Sequence, residues 1–301
     1  MARKEKWTTF GWLGVNFEVP ESWNLGRVNG DRKKGYLRLD DESFTRLELR
    51  WEKKRGVPDI EKIVARHVNE LGRSAKRHKV SFEVKRNLGF FRLRDSKYHE
   101  CFYWEGDYKV FNLIFKCEAS QATYLLRLFF KKTANMRMYA KRIFESFSDS
   151  SAGDDELWGF FGFQFCVPKG LALEKTSLRA GCYEVLLADK VSEIEVIRLS
   201  IAATLLKGRT LKDWFFEFYK KRLRRLDVRV AAARTSGHEG IEVVATPKGN
   251  RWVLPLFRSK TVLRARCWCC DESDKLYIVR VTSREPEDVR CERYAQKVRC
   301  H

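Results

Sequence analysis

The segment GWLGVNFEVP at residues 11–20 recurs as GFFGFQFCVP at residues 159–168, with glycine, glycine, phenylalanine, valine and proline at the same five positions. The shared pattern GxxGxxFxVP is typical of a short turn followed by a strand that a proline ends. Residues two positions apart in a strand share a face, so Phe17 and Phe165 are predicted to point into a core with the valines that follow them. Because the copies stand nearly half the chain apart, they predict an internal duplication.

A helix is predicted at a matching place in each half of the chain. In the first half, Pro58 suits the first helical position, because its fixed backbone angle favours a helix and it has no N–H to satisfy. In the second half, Thr210 suits the N-cap of a helix that extends to residue 227. The predicted apolar stripes are Ile60, Ile63, Val64, Val68 and Leu71 in the first helix and Phe215, Tyr219, Leu223 and Leu226 in the second.

A His-Glu pair also occurs in each half, at residues 99–100 and 238–239. One interpretation is an acid–base pair; the other, which we favour for a duplicated fold, is the start of a strand in each copy. The polar, small-residue segment at 148–156 has the composition of a linker. The predicted domains are therefore residues 1–150 and 151–301.

Each half is predicted to contain strands, a helix, several antiparallel strands and a terminal helix. This order indicates an α+β fold, in which an antiparallel sheet is packed with helices. The opening FEVPESW (17–23), the order of elements and the closing IFESFSD (143–149) resemble the PsbP-like fold, whose members include a photosystem II extrinsic subunit and a yeast Ran-binding protein. The resemblance implies a PsbP-like sandwich in each domain and a non-enzymatic protein that docks to larger assemblies, and it supplies no binding residue.

The chain is strongly basic, with 60 Lys and Arg against 40 Asp and Glu and a formal net charge of +20. The excess is +12 in residues 1–150 and +8 in 151–301, so both predicted domains are basic. A distributed excess of this size favours a polyanionic partner such as nucleic acid or a nucleoprotein. An anionic membrane, an acidic protein, and a basic surface without a polyanionic partner are the alternatives. No signal peptide or spanning segment is predicted, so we expect a cytoplasmic protein without a membrane partner.

Several basic clusters are candidates for nucleic-acid contact, although each could equally be plain solvated surface. The second helix is predicted to present Lys220, Lys221, Arg224 and Arg225 on one face, with Trp214 at its edge and no acidic residue to offset the charge. The other candidates are Arg32, Lys33 and Lys34 in a turn, Lys53, Lys54 and Arg55 in a loop, Arg73, Lys76, Arg77 and Lys79 at the end of the first helix, and Lys248 and Arg251 in a loop.

The sequence contains no phosphate-binding glycine loop, no GxGxxG and no HExxH, and it has only five histidines. We therefore expect no enzyme activity, no cofactor and no metal. The nine cysteines leave three alternatives open, which are core thiols, a disulfide between a strand and the last helix, and a zinc site. The residues in question are Cys267, Cys269, Cys270, Cys291 and Cys300.

These features lead to a hypothesis of non-enzymatic binding to structured RNA, with ribosomal RNA or a ribosomal subunit as the partner. No base-reading module is recognisable, so recognition of phosphate backbone and shape is expected. In size, charge and duplication the chain is similar to basic archaeal ribosome-associated proteins, including stasis and dimerisation factors, which implies ribosome hibernation and allows a homodimer. The alternatives are an architectural DNA-binding protein, a protein-docking module and, from another class, an enzyme.

Overall fold

The computed structural model describes residues 5–93, 96, 98–106, 108–131, 136–149, 154–248, 261–284 and 290–300. The chain divides into two compact units, residues 1–162 (unit 1) and 163–301 (unit 2). The predicted boundary at 150/151 lies before this division, because the strand at Asp155–Phe160 pairs with a strand near the N-terminus and so clusters with unit 1.

Both units consist mainly of antiparallel strands. Unit 1 contains β1 (Trp7–Trp12), β2 (Val15–Pro20), β3 (Asn24–Gly30), β4 (Lys34–Asp40), β5 (Thr45–Lys53), α1 (Ile60–His78), β6 (Glu83–Lys85), β7 (Tyr98–Glu105), β8 (Lys109–Lys116), β9 (Ala122–Phe130), α2 (Met136–Ser146) and β10 (Asp155–Phe160). Unit 2 contains β11 (Phe163–Pro168), β12 (Ala172–Arg179), β13 (Cys182–Ala188), β14 (Ser192–Ser200), α3 (Ala202–Leu206), α4 (Leu211–Phe218), α5 (Lys220–Leu223), β15 (Leu226–Thr235), β16 (His238–Pro247), β17 (Val262–Cys270), β18 (Lys275–Ser283) and α6 (Arg290–Ala295).

Each unit has a seven-stranded antiparallel sheet, and the two sheets have the same strand order. In unit 1 the order is β3-β4-β5-β9-β8-β7-β6, and in unit 2 it is β12-β13-β14-β18-β17-β16-β15. The alternation of the central strands explains these sheets, because side chains at every second position enter the core. Leu47 and Leu49 in β5, for example, are fully buried and lie opposite Leu128 and Leu126 of β9.

The repeated phrase has a direct role in unit 1. Gly11 of β1 lies opposite Gly159 of β10, and these are the first glycines of the two copies. A Cβ atom at Gly11 would stand 2.6 Å from the carbonyl oxygen of Leu157, so only glycine allows the strands to approach this closely. Phe17 and Phe165 are both buried in their own units, as the alternation predicted.

The predicted helices form, but they are shorter than expected. α1 begins at Ile60, after Asp59, whose carboxylate accepts a hydrogen bond from the Lys62 N–H (2.9 Å). Pro58 therefore lies before the N-cap, and its predicted place as the first helical residue is wrong. The stripe is confirmed, since Val64 packs with Phe102 and with the partly buried residues of the stripe.

The predicted α+β sandwich is wrong, because 52% of the described residues are in strands and 20% in helices. The second predicted helix shows the reason. It begins at the N-cap Thr210, whose hydroxyl accepts from the Asp213 N–H (3.1 Å), but it is interrupted at Tyr219 and ends at Leu223. From Leu226 onward the chain is a strand, since Val228 and Val230 alternate with polar residues. No helix within the described ranges is both long and apolar enough to cross a membrane.

Candidate anion-binding site

Two of the predicted basic clusters come together in unit 1. The turn between β3 and β4 is shaped by Asp31, whose Oδ1 accepts hydrogen bonds from the backbone N–H groups of Lys33 (2.6 Å) and Lys34 (3.0 Å). The hydrogen bond from the Lys34 N–H, and after it the bond from the Lys33 N–H, hold the pKa of Asp31 below its ordinary value. The end of β5 is joined to this turn, because the Lys53 N–H donates to the Lys33 carbonyl (2.7 Å) and the Trp51 indole donates to the Asp31 carbonyl (2.7 Å). Lys53, which was predicted in a loop, is the last residue of this strand.

Five exposed cationic side chains result from this junction, and we call them the basic rim: Lys33, Lys34, Lys53, Lys54 and Arg55. Two of its members share one carboxylate, since Glu52 lies 3.3 Å from the Lys34 ammonium and 2.9 Å from that of Lys54. Exposed pairs of this kind are weak, so a phosphate could displace them. Arg32, the sixth predicted residue, does not belong to the rim, because its guanidinium contacts the buried Glu156 (2.7 Å).

Three members of the basic rim, Lys34, Lys54 and Arg55, also line a cavity of about 750 Å³ between α1 and the sheet, whereas Lys33 and Lys53 lie outside its lining. Tyr36 and Trp51 line it from β4 and β5, and Arg50 lines it beside them. Arg66 and His67 line it from α1. The cavity therefore combines cationic groups with aromatic rings, which is the combination that ligands with an anionic part and a planar part require.

The charge in the cavity is not balanced by nearby carboxylates. Its lining includes Lys34, Arg50, Lys54, Arg55 and Arg66, against Glu52 and Glu70. Across the described part of the chain, no ion pair involves Arg50, Arg55 or Arg66, whereas Arg50 does stand over the Tyr36 ring at 5.6 Å. An anion that entered the cavity would therefore find guanidinium groups that no neighbouring carboxylate neutralises.

His67 adds a polar group to the wall of this cavity. Its Nε2 is buried and has no hydrogen-bond partner among the described residues. Burial lowers the pKa of His67, and the positive charges of Arg127 and Arg50 lower it further. The imidazole is therefore neutral near pH 7 and adds no positive charge to the cavity wall.

The remaining predicted cluster of unit 1 lies elsewhere. Arg73, Lys76, Arg77 and Lys79 are exposed at the C-terminal end of α1, where positive charge is favourable for the helix dipole. The α1 residues that line the cavity end at Glu70, so Arg73 lies about 4.5 Å and Lys76 about 9 Å further along the helix axis, at 1.5 Å per residue. None of these four residues lines the cavity.

In unit 2 the predicted helix face is only partly present. Lys220 and Lys221 belong to α5, whereas Arg224 and Arg225 follow it, and the Lys248 N–H donates to the Arg225 carbonyl (3.2 Å). The side chains of all five residues are exposed. The first four lie within six positions of one another, and the backbone hydrogen bond brings Lys248 beside them. Arg251 lies outside the described residues.

Two features of this second cluster differ from the prediction. Trp214 is buried in the core with only 6% exposure, so it cannot offer a ring at the surface. The charge is also offset, because Glu217 lies 3.4 Å from Lys220 and both line an open groove together with Asp213 and Asp227. The basic surface in unit 2 therefore has less uncompensated positive charge than the rim and cavity in unit 1.

All nine cysteines are free thiols, so the structure does not contain the disulfide that was one of the three alternatives. Burial raises the pKa of Cys101 and of Cys291 to about 12, and these side chains are core thiols rather than nucleophiles. Cys267 and Cys269 share a face against the core of unit 2, as the alternation predicted. Cys270 points to the other face of the sheet, where it approaches Cys300 and His238. Burial is the main cause that raises the pKa of Cys300 to about 11, and the Cys270 thiol is a smaller one.

The two His-Glu pairs do begin strands, which confirms the structural interpretation. His99 and Glu100 stand at the start of β7, and Glu100 is held by two hydrogen bonds from Arg86 (2.6 and 2.8 Å). His238 is the first residue of β16, and its Nε2 lies 3.2 Å from Cys300 Sγ. No sequence signal could have joined these two residues, because they are 62 positions apart.

No family model matches the chain, and no curated protein matches it. Among solved structures, the chain is similar to immunity protein TplEi of the T6SS from Pseudomonas aeruginosa, complexed with "L" peptide, with 11% identity over 99% of each chain and a TM-score of 0.32. A tryptophan-to-alanine mutant of the vaccine antigen Transferrin Binding Protein B from Haemophilus parasuis Hp5 shares 8% identity over 94% of this chain and 66% of its own, with a TM-score of 0.13. At TM-scores this low, neither similarity carries an argument about fold, partners or function, and the PsbP-like resemblance stays a prediction.

Proposed function

We propose that this protein binds structured RNA, with phosphates on the basic rim of unit 1 and an unstacked base in the cavity beneath it. The observation that carries the proposal is the junction of two separate basic segments at the mouth of a cavity that contains unneutralised arginines. Phosphate groups favour such exposed cations, and each contact releases counterions. Single-stranded loops of structured RNA supply bases that can leave the stack and rest on aromatic or guanidinium planes, as Tyr36 and Arg50 would allow.

RNA is favoured over duplex DNA for a geometric reason. Paired bases in a duplex stay in the stack, so only the rim would engage duplex DNA, whereas a looped RNA would use both the rim and the cavity. The cytoplasm, where thiols stay reduced, fits the nine free cysteines and is the proposed compartment. A ribosomal subunit is the proposed partner because it presents looped RNA at high density.

The test compares two triple variants with the same change of charge. The rim variant combines Lys33→Gln, Lys53→Gln and Arg55→Gln, none of which breaks an ion pair between described residues. We expect this variant to bind a looped RNA more weakly. The plot of log K against log salt concentration should also be shallower by about 2–3, because each lost phosphate contact reduces the magnitude of its slope by about 0.7–0.9.

The control variant carries Arg73→Gln, Lys76→Gln and Arg77→Gln near the C-terminal end of α1, beyond the helix residues that line the cavity. Its binding constant and salt slope should stay close to those of the unsubstituted chain. Equal losses in the two variants would mean that net charge alone drives binding and would contradict the proposed site. Equal affinity for duplex DNA at one salt concentration would favour the DNA alternative, and capture that survives nuclease treatment would favour protein docking.

A ribosomal partner is tested by sedimentation of a host lysate through sucrose at low salt and at about 0.5 M salt, where phosphate contacts are screened. We expect the protein to travel with ribosomal subunits at low salt only. A protein that stays at the top of both gradients would refute the ribosomal partner, while the binding assay with looped RNA would still decide the site.

A further inference from the structure

Three potential metal ligands from distant parts of the sequence meet in unit 2. They are His238 at the start of β16, Cys270 at the end of β17 and Cys300 near the end of the chain. Their ligand atoms all lie within 4.8 Å of one another, and His238 Nε2 is 3.2 Å from Cys300 Sγ. Both cysteines are buried and the histidine is half-buried, so the cluster lies just below the surface.

These separations suit a tetrahedral zinc ion. Zn–S bonds of about 2.3 Å and Zn–N bonds of about 2.0–2.1 Å place neighbouring ligand atoms about 3.6 Å (N to S) and about 3.8 Å (S to S) apart. Small rotations of the side chains of Cys270 and Cys300 would bring the observed atoms to these values. The three ligands come from separate segments, two strands and the C-terminal segment, so no two of them are neighbours along one strand.

The segment that carries Cys300 is held in place by bonds that do not involve the cluster. The Arg299 N–H donates to the Gln164 carbonyl (2.9 Å), and the Ser236 hydroxyl lies 3.4 Å from the Val298 carbonyl. The Tyr277 hydroxyl donates to the carbonyl of Cys300 itself (3.4 Å). The ligands are therefore positioned before any ion arrives, which lowers the entropic cost of binding.

The same corner in unit 1 has different chemistry. The bridges Asn16–Ser148 and Gln164–Arg299 occupy matching places in the two copies of the repeated phrase, so Asp149 and Cys300 are each the next residue along. In unit 1 the Cys117 thiol lies 2.8 Å from a carboxylate oxygen of Asp149. In unit 2 a second thiol replaces that carboxylate, and an imidazole stands beside it. Where unit 1 has a thiol beside a carboxylate, unit 2 therefore has two thiols and an imidazole, which are the ligand types that zinc favours.

We propose that His238, Cys270 and Cys300 bind one zinc ion, with water in the fourth position, and that this ion fastens the C-terminal segment to the sheet of unit 2. Two thiol protons leave as the thiolates form, and the imidazole binds in its neutral form. Zinc suits two thiolates and an imidazole better than magnesium or calcium, which prefer oxygen ligands. The proposal is independent of RNA binding by unit 1.

The experiment uses the full chain, purified under reducing conditions and freed of metal with a chelator. We expect it to bind one equivalent of Zn²⁺, and to give a thiolate-to-cobalt charge-transfer band when Co²⁺ is the probe. Cys300→Ser and His238→Gln should each abolish stoichiometric binding and the band. Cys269→Ser, a half-buried thiol on the other face of β17, is the matched control and should bind as the unsubstituted chain does.

Circular dichroism of each variant shows whether it is folded. If Cys300→Ser does not fold, the loss of zinc binding is judged from the His238→Gln variant instead. Zinc should also raise the melting temperature of the unsubstituted chain and of Cys269→Ser, but not that of His238→Gln. Absence of binding by the reduced, folded chain would overturn the proposal. So would equal binding by all variants, or a disulfide between Cys270 and Cys300 found by peptide mapping of protein isolated with its thiols blocked.

Discussion

The buried charge of Arg280 in β18 makes the stability of unit 2 sensitive to substitution of Glu195. Arg280 is fully buried, and its Nε donates to Glu195 Oε2 (2.8 Å), which also accepts from the Tyr219 hydroxyl (2.6 Å). Glu195→Gln would leave the guanidinium with Glu193 at 3.6 Å, a half-exposed carboxylate that solvent screens. Breaking a buried pair in this way costs about 3–5 kcal/mol of unfolding free energy.

The matched control is Glu184→Gln in β13 of the same sheet. Glu184 lies 2.8 Å from Lys175, but the Lys175 side chain is 56% exposed, so this pair contributes about 1 kcal/mol or less. Amide hydrogen exchange of peptides from β14 and β18 measures the loss in unit 2 directly. We expect exchange to be faster by about two to four orders of magnitude in Glu195→Gln, since each factor of ten is about 1.4 kcal/mol.

The double variant Glu195→Leu with Arg280→Met distinguishes an uncompensated charge from lost packing. Because it removes both charges, it should cost less than Glu195→Gln alone, even though the Tyr219 hydroxyl then lacks its acceptor. The reasoning would be refuted if the double variant lost as much unfolding free energy as the Glu195→Leu and Arg280→Met single variants lose in sum. A Glu195→Gln variant whose exchange matches that of Glu184→Gln would also refute it.

The same pair predicts a dependence on pH. Burial alone would raise the pKa of Glu195, but the hydrogen bond and charge of Arg280 outweigh it and hold the pKa below the ordinary value of 4.5. The unfolded chain therefore takes up this proton at a higher pH than the folded chain. The stabilisation is complete above the ordinary pKa and is lost as pH falls through the lower pKa of the folded state. The stability difference between the unsubstituted chain and Glu195→Gln should shrink accordingly below about pH 4.

Two further predictions concern the repeated phrase and are checked by urea unfolding. Gly11→Ala should lose about 1–3 kcal/mol, because its Cβ would stand 2.6 Å from the Leu157 carbonyl oxygen, whereas Gly89→Ala, with open space around it, should be neutral or slightly stabilising. Equal effects would mean that β1 and β10 can separate freely. Phe17→Ala and Phe165→Ala should each cost about 3–5 kcal/mol, since both rings are buried, and a loss well under this range would show that the sites collapse around the missing ring.

Local patterns in the sequence predicted the faces of elements better than their lengths. The N-cap at Thr210 and the buried positions Phe215 and Leu223 are confirmed, because capping and helical spacing act within a few residues. The end of that helix was not predictable in the same way. Leu226 fits both the helical spacing from Leu223 and the alternation of β15, and pairing with β16 decides in favour of the strand.

The candidate site shows the same limit at longer range. The sequence placed Lys33 and Lys53 in separate clusters, and only the register of β3, β4 and β5 brings the turn and the loop together. The sequence also gave no reason to expect that Arg32 turns to Glu156, which is 124 residues away. Contacts that depend on sheet pairing or on the folding of a distant segment leave no local pattern to find.

The comparison of the two sheets explains why unit 1 rather than unit 2 is the candidate for ligand binding. α1 packs on β7 and β8, and α4 packs on β16 and β17, which hold the same positions in their sheets. In unit 2 the space beside the helix is filled by large apolar side chains such as Trp214, Phe215 and Tyr219. In unit 1 the corresponding face keeps a cavity of about 750 Å³ whose lining includes Arg50, Arg66 and His67.

Cationic and polar side chains in such a cavity lower stability compared with the apolar packing that the same sheet accommodates in unit 2. A fold that needed only stability could have filled this space with apolar residues, as the second copy does. The charged lining is therefore better explained by a ligand that neutralises it than by packing. Because the described residues of the second copy place apolar side chains beside the helix and offset Lys220 with Glu217, the proposed RNA binding should depend on unit 1, whereas the proposed zinc ion would hold the C-terminal corner of unit 2.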